Sequence, residues 1–188
     1  MTLTNTLIGI CWFILIVVWL ITAVGAKKSK ENPKGKAGRW ISLLLVVCFL
    51  ICTRVKEVRV LNEHHLFFPN YLVQVLSVVF CISGISFAIW ARLHMGKNWG
   101  MPMALKEHTE LITSGPYRLI RHPIYAGLSL AMIGSMLIGS ILMAIWCSLL
   151  IWFFLYSALK EEKTMSTQFP DEYPMYRKRT KMLIPFVL

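Results

Sequence analysis

Acidic residues are scarce in this chain of 188 residues: nine Asp and Glu stand against twenty Lys and Arg, for a formal charge of +11. Charge of either sign is sparse, at 15% against the roughly 25% usual in soluble domains. Hydrophobic residues reach 56%, and mean hydropathy is +0.60. This balance excludes intrinsic disorder and argues against a soluble globular protein. A disulfide framework is also missing. The cysteines are odd in number (Cys11, Cys48, Cys52, Cys81 and Cys147), all lie in apolar stretches, and none forms a CxxC pair. They read as small buried apolar side chains. The length allows one domain, residues 1–188.

What is present in excess is long uncharged sequence. Residues 3–26 carry no charge, and nothing basic precedes Lys27. The run exceeds the ~7–15-residue core of a signal peptide, so it reads as a transmembrane helix. Trp40–Thr53 is shorter and becomes a span over about 40–60 if Val55, Val58 and Val60 extend it while Arg54 and Lys56 reach back to water. Leu66–Ala91 is a third uncharged run, with Pro69 compatible with a first helical turn. Residues 123–159 are too long an apolar run for one span and should fold in two, 123–138 and 140–159, turning at Gly139-Ser140. Gly127, Ala131, Ser135 and Gly139 recur every fourth residue and put small side chains on one helix face, where a neighbouring backbone can approach. The expected fold is an all-α integral membrane protein of five transmembrane helices, the last two forming a helical hairpin.

The distribution of charge tests that count. Loop 26–39, segment 92–122 and the tail hold seventeen basic residues and share one side under five spans, whereas loop 54–65 holds three. The positive-inside rule then puts the N-terminus outside and the C-terminus in the cytoplasm. This asymmetry accounts for the net charge. No nucleic-acid role is expected, because the basic residues lack interleaved stacking aromatics in one soluble module.

Segment 92–122 and the tail are the longest connections and hold most of the unusual side chains. Ser114-Gly115-Pro116 signals a turn, and His122-Pro123 opens the fourth helix. His94, His108 and His122 fit no compact ligand spacing, and no metal is expected. Glu161 and Glu162 stand where the last span leaves the membrane. Adjacent residues point about 100° apart on a helix, so the two carboxylates are not expected to serve one site. Taken alone, they also fit a solvated helix end. Phe169 to Arg177 is an aromatic and charged stretch suited to an interfacial anchor.

The run Ser114-Gly115-Pro116-Tyr117-Arg118, then Arg121-His122-Pro123-Ile124-Tyr125-Ala126-Gly127, resembles the signature of the isoprenylcysteine carboxyl methyltransferase family, part of a wider group with phospholipid methyltransferases. So does Glu161-Glu162 followed by Phe169, Glu172-Tyr173 and Tyr176. The resemblance covers about residues 94–180. It implies S-adenosylmethionine as methyl donor, bound on the cytoplasmic side between loop, last helices and tail. A Rossmann domain is not implied, and no GxGxxG occurs. The implied cofactor residues are Leu111, Ile112, Tyr117, His122, Pro123, Ile124, Tyr125 and Glu161, with the stretch from Ala104 to His108 contributing. Tyr117 and Tyr125 offer aromatic faces to a cation or to adenine, Glu161 an acceptor for ammonium or hydroxyl groups, and His122 a donor or acceptor.

One position departs from the family pattern. Members that methylate prenylcysteine carboxylates carry arginine four residues before the first paired acid, where this chain has Ser157. Arg92 and Arg121 are the candidates to take over the grip on a substrate carboxylate. The expected activity is S-adenosylmethionine-dependent methylation of a carboxylate on a prenylcysteine-like lipophilic acceptor that enters from the bilayer. A carboxylate acceptor needs no base. The alternatives are a phospholipid amine N-methyltransferase, for which His122, Glu161 or Glu162 would act as base, and a non-enzymatic membrane protein. Against transport, the spans hold almost no ionisable residue.

Overall fold

A computed structural model describes residues 3–23, 44, 63–65, 67, 70–99 and 110–184. The uncharged stretches among them are helices: α1 (Leu3–Ala23), α2 (Tyr71–Met95), α3 (Pro123–Ile138) and α4 (Ile141–Gln168), followed by a short α5 (Glu172–Arg179). Among the described residues there is no strand, only isolated bridges. Among the described residues, three helices, α1, α2 and α4, are long and apolar enough to cross a membrane, while α3 is apolar but shorter. The protein is an all-helical membrane protein. The expected span 40–60 lies outside the described residues, apart from Leu44.

Local chemistry sets the helix ends. Asn70 caps α2 by accepting from the Val73 N–H at 2.9 Å, so this helix starts later than the apolar run does. It also runs on past that run to Met95, carrying Arg92 and His94 in its last turn. Pro123 occupies the first turn of α3, where its missing N–H costs nothing. Ser140 caps α4, accepting from the Met143 N–H at 3.2 Å, and Gly139-Ser140 is the whole connection from α3. Helix α4 continues nine residues beyond the expected end at 159, to Gln168. Apolarity stops at Leu159, but Lys160 through Lys163 are good helix formers and carry the helix out into polar surroundings.

Backbones of α2 and α3 are in direct contact. A Cβ on Gly127 would lie 2.6 Å from the Gly84 carbonyl and 2.7 Å from the Ala88 nitrogen, and one on Gly84 would lie 2.5 Å from Gly127 O. Farther along, Gly134 meets Ser77, whose hydroxyl donates to the Gly134 carbonyl at 2.7 Å. Of the expected small-residue stripe, Gly127, Ala131 and Ser135 are buried in this contact. Gly139 is not: it follows α3, and its near neighbours are Ser135 of α3 and Met143 of α4. The matching small face on α2 (Ser77, Cys81, Gly84, Ala88 and Ala91) is equally buried. Two small-residue faces let the helices close to backbone distance, where dispersion and Cα–H contacts replace a hydrophobic drive that lipid does not supply.

Helix α1 packs on this pair through Ile8 and Leu15, against Cys81, Ile85, Ala88 and Ala131. Trp12 Nε1 donates to Ser135 Oγ at 3.0 Å, giving the indole N–H a partner inside an apolar layer. Thr4 Oγ1 donates to Gln74 Oε1 at 3.0 Å near one end, and Arg92 Nη2 donates to the Thr22 carbonyl at 2.7 Å near the other. Helices α1 and α2 therefore run parallel. Of the cysteines, Cys11, Cys81 and Cys147 are described and free, the latter two buried.

The glycine contact has a measurable consequence. Gly127→Val should lower unfolding free energy in detergent by about 3 kcal/mol, the upper end for overpacking, because backbone rather than flexible side chains must move. Gly9→Ala, which meets open space, should stay within about 0.5 kcal/mol of the parent.

Candidate active site

The site forms where the start of α3, the end of α4 and the tail meet. Gly115 opens a 3-10 turn, Gly115–Arg118, at φ +60°. Any Cβ there would also fall within 2.8 Å of the His94 ring, so glycine is required twice over. The turn buries Tyr117, whose hydroxyl donates to the Ala91 carbonyl at 3.4 Å. From α5, Tyr176 donates to the Tyr117 carbonyl at 2.6 Å. The Arg121 and His122 N–H groups donate to the Lys181 and Met182 carbonyls at 2.9 and 3.0 Å, so the tail pairs with the strand-like lead into α3.

Arg121 and Glu162 form the charged centre of this junction. Guanidinium Nε and Nη2 reach the two carboxylate oxygens at 2.5 and 3.2 Å, with both side chains only 8% exposed. Arg121 Nη1 donates to the carbonyls of Thr180 and Arg177. Arg177 approaches Glu162 from outside at 3.4 Å. Arg121 precedes the apolar run that starts at Pro123, and Glu162, Arg177 and Thr180 follow its end at Leu159. Burial alone would push the Glu162 carboxyl up, but contacts and charge from His122 and Arg121 outweigh it and hold the group at about 2. Burial pushes the Tyr117 and Tyr173 hydroxyls well above the ordinary tyrosine range, and Tyr176 up to about 12.

His122 lies between the two acids, with Nδ1 3.6 Å from Glu161 and Nε2 3.4 Å from Glu162. The expectation that the adjacent carboxylates would part company is therefore corrected. They do diverge on the helix, but a single ring placed between them touches both. Nε2 is buried and makes no hydrogen bond among the described residues. Tyr125 stacks on His122 at 5.7 Å and on Phe154 at 5.2 Å, and its hydroxyl donates to Glu161 at 2.6 Å.

The structure thus brings His122, Tyr125 and Glu161 together, with Pro123 buried beneath them and Ile124 half-buried. Tyr117 stands apart, 4% exposed, stacked on His94 and holding the end of α2. Leu111 lines a cleft of about 580 Å³ between the loop and α5, with Thr113, Arg118, Met175 and Tyr176; Ile112 is half-buried beside it in sequence. A cleft of this size suits a small molecule. Residues 104–108 lie outside the described residues.

Neither arginine candidate is available for a substrate carboxylate in this arrangement. Arg121 is taken up by Glu162 and two carbonyls. Arg92 is 1% exposed, donates to the Gly96 and Thr22 carbonyls, and lies 4.3 Å over the Trp99 ring. Ser157 is fully buried one turn before Glu161, and its hydroxyl has no partner among the described residues. The Arg121–Glu162 pair escaped the sequence reading because the partners are 41 residues apart; the charge of each was visible, their meeting was not.

A sequence model of the phospholipid methyltransferase family matches residues 72–172, more than half of the chain. The chain belongs to that family. It is similar to the protein-S-isoprenylcysteine O-methyltransferase of Schizosaccharomyces pombe, at 28% identity over 165 residues covering 81% of this chain and 69% of the yeast protein. It is also similar to protein-S-isoprenylcysteine O-methyltransferase B of Arabidopsis thaliana, at 31% identity over 84 residues, 44% of this chain and 43% of the plant protein. The family match spans α2 to the start of α5 and so contains the whole glycine contact, the acid pair and the His122 cluster.

The buried ion pair sets two expected outcomes for this family member. Arg121→Gln and Glu162→Gln should each cost about 3–5 kcal/mol, because each strands a buried charge, while the double variant should cost less than their sum. Additive losses in a denaturation cycle would mean that the pair is not coupled. A depressed folded pKa stabilises above the unfolded value and loses that contribution as pH falls. The parent should therefore lose stability between about pH 4.5 and about 2 more steeply than Glu162→Gln does.

Proposed function

We propose that this family member is an S-adenosylmethionine-dependent methyltransferase acting on the carboxylate of a prenylcysteine-like lipophilic acceptor. The convergence of His122, Tyr125 and Glu161 beside the paired tail carries this reading. The donor set fits the cofactor's chemistry. Glu161, 23% exposed at its side chain, can accept from ammonium or ribose hydroxyls. The Tyr125–His122 stack presents aromatic surface to a cation or adenine. His122 Nε2, buried without a hydrogen bond among the described residues, is an orphan that a polar ligand would satisfy. Leu111, Ile112 and Tyr117 would complete the site from the loop, and Pro123 and Ile124 from the start of α3.

When bound, S-adenosylmethionine supplies an electrophilic methyl group. The chain's own contribution is to align and to exclude water. A carboxylate acceptor is already ionised at neutral pH, so no residue need remove a proton. Its prenyl chain would enter from the bilayer beside α4. Names of the relatives support the O-methyl reading over the phospholipid amine alternative. The acid pair favours it too: a Glu162 carboxylate held at about 2 is a weak base and poorly suited to deprotonating an ammonium. Ser157, buried one turn before Glu161 with a hydroxyl unpaired among the described residues, would donate to the acceptor at the position where the family pattern has arginine.

The proposed topology is five spans, with the N-terminus outside, the tail and segment 92–122 in the cytoplasm, and α3 and α4 as a hairpin. The parallel run of α1 and α2 supports it, since two parallel spans require the chain to return across the bilayer between them. The contact of Tyr125 with Phe154 and Glu161 supports the hairpin.

Two measurements test this reading. The purified chain should transfer methyl from S-adenosylmethionine to an S-prenylcysteine, and far less to an aminophospholipid or to a cysteine thioether without the chain; preference for the amine would overturn it. Glu161→Ala should weaken cofactor binding about 10–150-fold in calorimetry, as expected for loss of a charge-assisted hydrogen bond.

A further inference from the structure

Helix α4 has an outward face that the methyl-transfer site does not use. Trp152, Tyr156, Leu159, Lys160 and Lys163 fall within a sector of about 120° at 3.6 residues per turn. Trp152 and Tyr156 are exposed and stacked at 5.9 Å. Such paired aromatics mark the boundary of the hydrocarbon layer. Immediately beyond, where apolarity ends, a cleft of about 450 Å³ opens, lined by Tyr156, Leu159, Lys160, Glu162, Lys163 and Arg177. Its membrane end is aromatic and aliphatic, and its far end is basic. Lys160 Nζ lies 5.3 Å over the Tyr156 ring, so the two ends adjoin.

The charge of the cleft is not self-compensated. Glu162 is its acid, and Arg121 already grips both carboxylate oxygens from inside. Arg177 touches Glu162 at 3.4 Å, yet its side chain is 62% exposed and it lines the cleft. Lys160, Lys163 and Arg177 therefore leave a net positive mouth directly beside exposed aromatic and aliphatic surface.

We infer that this cleft is a binding site for an anionic phospholipid, with its phosphate among Lys160, Lys163 and Arg177 and an acyl chain along Leu159, Tyr156 and Trp152. A free phosphate would meet the same cations but leave the aromatic half bare, and a zwitterionic lipid would carry its own ammonium into a basic mouth. The cleft is lined by none of His122, Tyr125 and Glu161, and its occupancy does not depend on methyl transfer.

The test is binding by the full chain in detergent, read by native mass spectrometry and by thermal shift. Dioleoyl phosphatidylglycerol should bind and raise the melting temperature more than dioleoyl phosphatidylcholine; equal effects would overturn the inference. Lys160→Gln with Lys163→Gln should weaken phosphatidylglycerol binding about thirty-fold, equivalent to about 2 kcal/mol at 1.4 kcal/mol per tenfold. Lys178→Gln, an exposed charge on α5 away from the cleft, should change it less than twofold; an equal loss there would reduce the effect to general charge and overturn the site. Inorganic phosphate at millimolar concentration should not displace the lipid, and displacement would assign the site to a soluble anion instead. Because the readout is lipid binding, failure here is separable from failure of the methyl-transfer reading.

Discussion

The Arg121–Glu162 ion pair is the constraint on which the functional end of the molecule depends. Two charges held at 8% exposure are costly unless each is fully matched, and the guanidinium meets that condition only by drawing three segments together. Its fork takes the α4 carboxylate, and its remaining N–H group takes carbonyls that close α5. Remove either partner and the lead into α3 keeps only its main-chain bonds and the Tyr176 contact to the tail, with a buried charge left unmatched. The location of His122 follows, since it is the next residue and its main-chain N–H is fixed by Met182.

The membrane portion obeys a different rule. There the ordering comes from removing side chains rather than from matching them. Gly84, Gly127 and Gly134 let two backbones touch, which fixes the depth of α3 relative to α2 to within a side-chain width. Because Pro123 starts α3 and His122 caps it, that depth also sets the height of the site above the apolar layer. The two regimes, small residues below and paired charges above, join at a single helix turn.

Much of this was legible from residue order. Uncharged runs located α1, α2 and α4, Pro123 and Ser140 marked helix starts, and the spaced motif from Ser114 to Gly127 with the later acids picked out residues that the fold brings together. Three things were not. The small face on α2 passes for ordinary apolar sequence until its partner glycines are known. The end of α4 could not be found from hydropathy, because Lys160 to Lys163 change the solvent without changing the backbone. The roles of Arg92 and Arg121 were read as substrate contacts from their charge, but the terminal nitrogens of Arg92 go to carbonyls and Arg121 goes to Glu162 and carbonyls, which depends on tertiary neighbours that no local pattern encodes.

The pairing of Lys181 and Met182 with the start of α3 also bears on how the molecule is made. Those two carbonyls belong to chain translated after every described helix, including α5. The bilayer helices can therefore be inserted and packed by glycine contacts while the His122 cluster is still unfinished. The candidate site is therefore completed only after residues 181 and 182 have been made, later than every described helix that forms it.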